Sequence, residues 1–131
     1  MSNDLGNNKV PKYRLYHNPR CSKSRQTLEL LRRHEIEPEI ILYLDSPPSI
    51  TELRDLLTKL AFRAGDLMRK SESIYKEKVK PFDLTEQDLL ALMVEYPKLI
   101  ERPIAICGKR AILGRPPENV LKLIDSINGQ S

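Results

Sequence analysis

The sequence contains no tryptophan, and its lysines and arginines form no run interleaved with aromatics, so nothing in it favours a nucleic-acid surface. No apolar stretch approaches the roughly 18 to 20 residues that a membrane span needs. The opening MSNDLGNNKVPK is polar and has no apolar core, which sets aside a secretory signal and reads as a flexible lead-in over residues 1–11. Internal repeats and low-complexity segments are missing as well. The two histidines, His17 and His34, lack metal-ligand spacing, so no metal site is expected. Only two cysteines occur, Cys21 and Cys107, far apart in a chain without an export signal. They read as free thiols of a reducing compartment, and the expected location is cytoplasmic.

What is present points to one ordinary α/β domain over residues 1–131. At 40% hydrophobic, 131 residues suffice for one real core and are too few for two. The 31% of charged residues are mixed in sign and leave a formal charge of +4, a mild excess that a small anionic substrate would account for.

YRLYH, residues 13–17, alternates and favours a strand that ends at the turn NPRC. SKSRQTLELLRRHEI then places Leu28, Leu31 and Glu35/Ile36 at helical spacing. PEIILYLDSPP follows as a nearly continuous apolar strand, expected to be buried on both faces. The middle of the chain reads as a helical insertion. Capping boxes are expected at Ser49/Glu52 and Thr85/Asp88, with one or two shorter helices between. Leu53, Leu56, Leu57, Leu60, Leu89, Leu90, Met93 and Val94 are its expected core residues. RPIAICGKRAILGRPPE reads as two strands turning at Gly108-Lys109, and PPENVLKLIDSI as an amphipathic last helix. The order βαβ, helical insertion, ββα suits a four-stranded mixed sheet with flanking helices.

The chemistry concentrates in LYHNPRCSKSR, residues 15–25. A cysteine at a strand-to-helix junction sits where the helix offers free N–H groups and its positive dipole end, which favours a thiolate and also attracts oxyanions. Arg20, Lys23, Arg25 and His17 add positive charge or hydrogen bonds around it. Ser22 and Ser24 are candidate donors to the thiolate or to a bound oxyanion. His17 is compatible with tuning the loop, with direct proton transfer or with a plain structural place at the strand end. With Ser24 three positions after Cys21, no local disulfide partner exists. Cys107, in the apolar run PIAIC, reads as a core or hairpin-end cysteine.

YHNPRCSKSR, LYLDSPPS, LMRKSE, ERPIAI and LGRPPE, in this order and spacing, strongly resemble the glutaredoxin-coupled arsenate reductase (ArsC) family, over about residues 13–127. The resemblance implies a thioredoxin-like fold, reduction of arsenate to arsenite, and Cys21 as the nucleophile, with His17 and Ser24 as loop partners that favour its thiolate. It assigns Arg69, Arg102 and Arg115 to the oxyanion and its products, and makes Arg102-Pro103 a cis peptide. Glutathione is the implied co-substrate, with no cofactor bound, and glutaredoxin the implied partner of a monomeric enzyme that binds neither membrane nor nucleic acid. Arg20 stands where well-studied members carry a smaller residue.

Three rival readings apply to the same residues. An Spx-like regulator that binds RNA polymerase would more often carry C-x-x-C, and the arginine set would serve no purpose in it. A glutathione-dependent thioltransferase would act on mixed disulfides instead of arsenate. A phosphate loop of the C-x5-R kind needs an arginine where Thr27 stands.

Overall fold

A computed structural model of the chain describes residues 11–129. Nearly all of the expected lead-in therefore lies outside the described residues.

Strand β1 (Tyr13–Tyr16) is followed by helix α1 (Ser22–Arg33) and strand β2 (Glu39–Ile41). The insertion comes next: α2 (Ile50–Leu60), a 3-10 turn (Ala64–Leu67), α3 (Ser73–Lys78), α4 (Glu86–Glu95) and a second 3-10 turn (Pro97–Leu99). Strands β3 (Ile104–Cys107) and β4 (Arg110–Leu113) and helix α5 (Asn119–Asn128) close the order. The four strands form one mixed sheet in the order β2-β1-β3-β4, with β1 parallel to β2 and antiparallel to β3.

Period-two alternation in the two central strands feeds a core on each face of the sheet. Tyr13, Leu15, Ala105 and Cys107 join Leu31 of α1 and Val120, Leu123 and Ile124 of α5. Tyr16, Ile104 and Ile106 face the insertion, where Leu53, Leu56, Leu57 and Leu60 of α2 and Leu90 and Met93 of α4 are buried. Leu89 and Val94 pack only partly. At about 1.5 to 3 kcal/mol per fully buried aliphatic side chain, these two layers outweigh any surface ion pair in holding the sheet between its helices.

Both expected capping boxes form. Ser49 and Glu52, and Thr85 and Asp88, exchange side-chain and backbone bonds reciprocally. The hairpin also forms, with Gly108 at φ 61° in the first central position, where a tight turn favours a residue without Cβ.

Two expectations need correction. The apolar run after α1 is not a strand buried on both faces: β2 has three residues, lies at the sheet edge, and leaves Leu42 and Leu44 exposed. Within the run Tyr43 is buried in the insertion core, 6.2 Å from the ring of Tyr16, while Ile41 packs partly against the same core and Ile40 against the opposite one. Helix α1 also stops short of Glu35. Ile36 N–H donates to the Leu31 carbonyl and Glu35 N–H to the Arg32 carbonyl, while Glu35 turns to φ 60°. That double closure is a Schellman motif with glutamate in the place usually held by glycine, and it tucks Ile36 back toward Leu31.

One long-range link positions the site. Met68 and Ile100 form an isolated antiparallel bridge, flanked by Arg69 N–H to the Leu99 carbonyl at 2.7 Å and Glu101 N–H to the Leu67 carbonyl at 2.8 Å. The bridge ties the insertion to the segment entering β3 and brings Arg69 beside Glu101.

Candidate active site

Between β1 and α1 the chain makes a tight turn over residues 18–21. Cys21 N–H donates to the Asn18 carbonyl at 2.9 Å, Pro19 supplies the fixed φ of the second position, and Arg20 N–H donates to Asn18 Oδ1 at 3.0 Å. Cys21 is the N-cap of α1, extended at φ −95° and ψ 123°, and partly exposed. No side chain among the described residues caps the helix, and its first turn holds no acidic residue. The first-turn N–H groups and the dipole are thus left for an anion next to Sγ.

Ser24 lies beneath this turn with no exposed surface. Its Oγ accepts from Asn18 N–H at 3.0 Å and lies 2.9 Å from His17 Nδ1. Burial, then the charges of Arg32 and Arg25, hold the His17 imidazole below its ordinary pKa, so the ring is neutral at neutral pH. Ser24 Oγ and His17 Nδ1 share one hydrogen bond, whose direction is set by which ring nitrogen carries the proton. His17 and Ser24 act on each other and on the turn, and neither hydrogen-bonds the thiol. Arg25 also braces the loop, donating to the Pro19 carbonyl at 2.9 Å. Arg20, Lys23 and Ser22 are exposed.

The thiol meets Arg115. Its Nη1 lies 4.0 Å from Cys21 Sγ and 3.2 Å from the Arg102 carbonyl. The register that pairs Tyr16 with Ile104 carries Arg102 and Pro103 alongside the cysteine turn, and Arg102-Pro103 is cis. Arg115-Pro116 is cis too, which sequence reasoning did not anticipate. Gly114 joins these segments: its N–H donates to the Pro103 carbonyl at 2.8 Å, and a Cβ there would meet Thr27 Oγ1 at 2.6 Å and Pro103 Cγ at 2.8 Å. Arg69 joins Arg115 through Glu101, whose Oε1 lies 3.5 Å from Arg69 Nε and 3.9 Å from Arg115 Nε. Arg69 also binds Glu72 at 2.8 Å. Cys107 lies at the far end of β3, opposite Tyr13 and 3% exposed, where burial pushes its thiol up.

The model of the ArsC family matches residues 16–123, a span that takes in the cysteine turn and all three arginines. The chain belongs to the ArsC family. It is 49% identical to the uncharacterized protein YfgD of Escherichia coli (strain K12) over 113 residues, covering 85% of this chain and 95% of that one. It is 41% identical to the arsenate reductase of Neisseria meningitidis serogroup A, again over 113 residues, covering 85% of this chain and 97% of the relative. The solved arsenate reductase from Vibrio cholerae superposes with a TM-score of 0.84 at 45% identity, covering 87% of this chain and 98% of that one. The mixed four-stranded sheet with flanking helices is thus the thioredoxin-like fold of ArsC-family proteins.

Within this ArsC-family site, sequence reasoning missed Glu101 and Tyr43. Tyr43 is 1% exposed and its hydroxyl finds no hydrogen-bond partner among the described residues, as is also true of Glu101 Oε1 and Arg102 Nε. The 3.5 and 3.9 Å approaches to Glu101 are therefore electrostatic attractions without hydrogen-bond geometry. Burial raises the Glu101 carboxyl above its ordinary pKa, although Arg115 and Arg69 pull the other way. The only sequence signal for Glu101 was an acidic residue directly before the pre-proline arginine. For Tyr43 it was a lone hydroxyl in an apolar run.

Proposed function

We propose that the protein reduces arsenate to arsenite, with Cys21 as the nucleophile and glutathione and a glutaredoxin as the source of electrons. The observation that carries this reading is the placement of a partly exposed thiol at an uncapped helix start, with a guanidinium 4.0 Å away. Nucleophile and oxyanion site coincide there. Arginine suits the task because its planar fork can hold two oxygens of a tetrahedral anion.

In the proposed cycle Arg69, Arg102 and Arg115 hold arsenate against the α1 N-terminus. The Cys21 thiolate displaces one arsenate oxygen, which leaves as water after protonation, and a thiol-linked As(V) remains. Glutathione then attacks. The two electrons that take As(V) to As(III) come from thiol sulfurs that end as a disulfide, which glutaredoxin resolves as arsenite departs. The reading draws on external thiols because Cys107 is buried at the opposite end of the sheet. A groove of about 530 Å³ that begins at Ser22, next to the cysteine in the chain, is lined by Arg25 and Arg33 and also by Glu29 and Glu118, and is large enough for a thiol tripeptide. His17 and Ser24 serve by fixing the turn that presents the thiol.

The test is arsenate-dependent NADPH oxidation in the presence of glutathione, glutaredoxin and glutathione reductase. Wild type is expected to turn over and Cys21→Ser to be inactive. Full activity in Cys21→Ser would remove the nucleophile from the scheme. Wild type that ignores arsenate yet reduces mixed disulfides would make the protein a thioltransferase.

A further inference from the structure

Glu101 is a carboxylate that Arg69 and Arg115 share. Arg69 and Arg115 point their Nε atoms at the same oxygen of Glu101, from the segment after the first 3-10 turn and from the loop after β4. That oxygen is buried, yet it accepts no hydrogen bond among the described residues. Arg69 is shared further with Glu72, while Arg115 reaches on to the thiol. The charged groups facing the space are the Arg69 and Arg115 guanidinium groups, the Glu101 and Glu72 carboxylates and the Cys21 thiol, with the buried Tyr43 hydroxyl beside them. An arsenate dianion held by Arg69 and Arg115 would lie next to Glu101, and two like charges that close on the same pair of arginines oppose each other's ionisation.

We propose that Glu101 is the counter-ion that an incoming tetrahedral oxyanion displaces from Arg69 and Arg115, and that it takes up a proton from solvent as it gives way. The displaced carboxyl then turns from competitor into donor, since its new O–H can point at an oxyanion oxygen. Glu101 is a specificity-determining residue on this account. It favours ligands whose charge is high enough to pull both arginines from a carboxylate, and it makes their binding depend on pH. The burial that already raises the Glu101 carboxyl makes the proton easier to accept.

The inference rests on the oxyanion reading of the site, and the experiment separates the two. Arsenate is titrated into Cys21→Ser protein, where no chemistry follows, and into Cys21→Ser/Glu101→Gln, by calorimetry at near-neutral pH in two buffers of different ionisation enthalpy. Protons exchanged by arsenate itself are common to both proteins. A larger proton uptake, up to one per site, is expected with Glu101 than with Glu101→Gln. In otherwise wild-type enzyme, KM for arsenate should rise more steeply with pH than in Glu101→Gln, by up to about tenfold per pH unit for one linked proton. Equal proton uptake in the two proteins overturns the inference. So does much weaker arsenate binding in Glu101→Gln, because the carboxylate would then be holding the arginines in place for the ligand instead of competing with it. Failure of arsenate to bind either protein overturns the oxyanion reading itself.

Discussion

The two halves of the site are built to opposite rules. On the cysteine side the polar groups that form the turn are used: Asn18 through its carbonyl, amide and side chain, Ser24 twice, Arg25 on the loop and His17 on Ser24. On the arginine side Tyr43 Oη, Glu101 Oε1 and Arg102 Nε are buried without partners among the described residues, and the ion pairs to Glu101 are long. A hydrogen-bonded turn fixes the Cys21 thiol, whereas on the arginine side Arg69 is held by Glu72 at 2.8 Å and Arg115 by the Arg102 carbonyl, and only their long links to Glu101 are free to give way to a ligand. The proposed reaction needs both: a thiol that does not wander, and charges whose best partner is the transition state.

Removing a guanidinium from the arginine side should have the largest effect after loss of the thiol itself. Arg115→Ala deletes the group nearest Sγ and one of the two cations on Glu101. A fall in kcat/KM of about 100- to 1000-fold is expected, the usual loss when one preorganised donor to a developing oxyanion is removed. Arsenate turnover kinetics would measure it. The melting temperature should change little, because Arg115 is partly exposed and its ion pair is long. A large stability loss with unchanged kcat/KM would mean that Arg115 is a structural strut.

The cysteine side should fail in the opposite way. Ser24→Ala leaves the part-buried Asn18 N–H and the buried His17 Nδ1 without their shared partner. About 1 to 3 kcal/mol of stability should go, read as a lower urea midpoint. Activity in the protein that remains folded should fall less than in Arg115→Ala, since Ser24 does not touch the thiol. An unchanged midpoint would show that the turn does not depend on this hydroxyl and would blur the contrast between the two halves.

How far each half could be read from the sequence follows the same division. The cysteine turn was legible because its determinants are local: Asn-Pro for the turn, and helix formers after Cys21. The capping boxes at Ser49 and Thr85 and the hairpin at Gly108 were legible for the same reason. The arginine side is assembled by the Met68 to Ile100 bridge and by the order of strands in the sheet, neither of which leaves a periodic trace. Only a family resemblance put Arg69, Arg102 and Arg115 together, and it was silent on Glu101. The edge position of β2 was hidden likewise, because an apolar run such as IILYL does not say which neighbours a strand will have. Ser24 was legible as a loop residue, but its inward aim beneath the turn came only with the burial of His17.

His17 offers the finest probe of the cysteine side. Its imidazole is held below its ordinary pKa, by burial first and by Arg32 and Arg25 next. The unfolded chain therefore binds this proton more readily than the folded one. Stability linked to His17 is fully present above the unfolded value of about 6.5 and is lost as pH falls through that value toward the lower folded one. The loss should not exceed about 1.4 kcal/mol per pH unit, the ceiling for one proton. Urea midpoints of wild type and His17→Gln, compared from about pH 8 to pH 5, isolate this slope from every contribution that the two proteins share. Wild type should lose more stability on acidification than His17→Gln. If the two curves run parallel, protonation of His17 does not oppose the folded turn, and burial of the ring is not what holds it neutral.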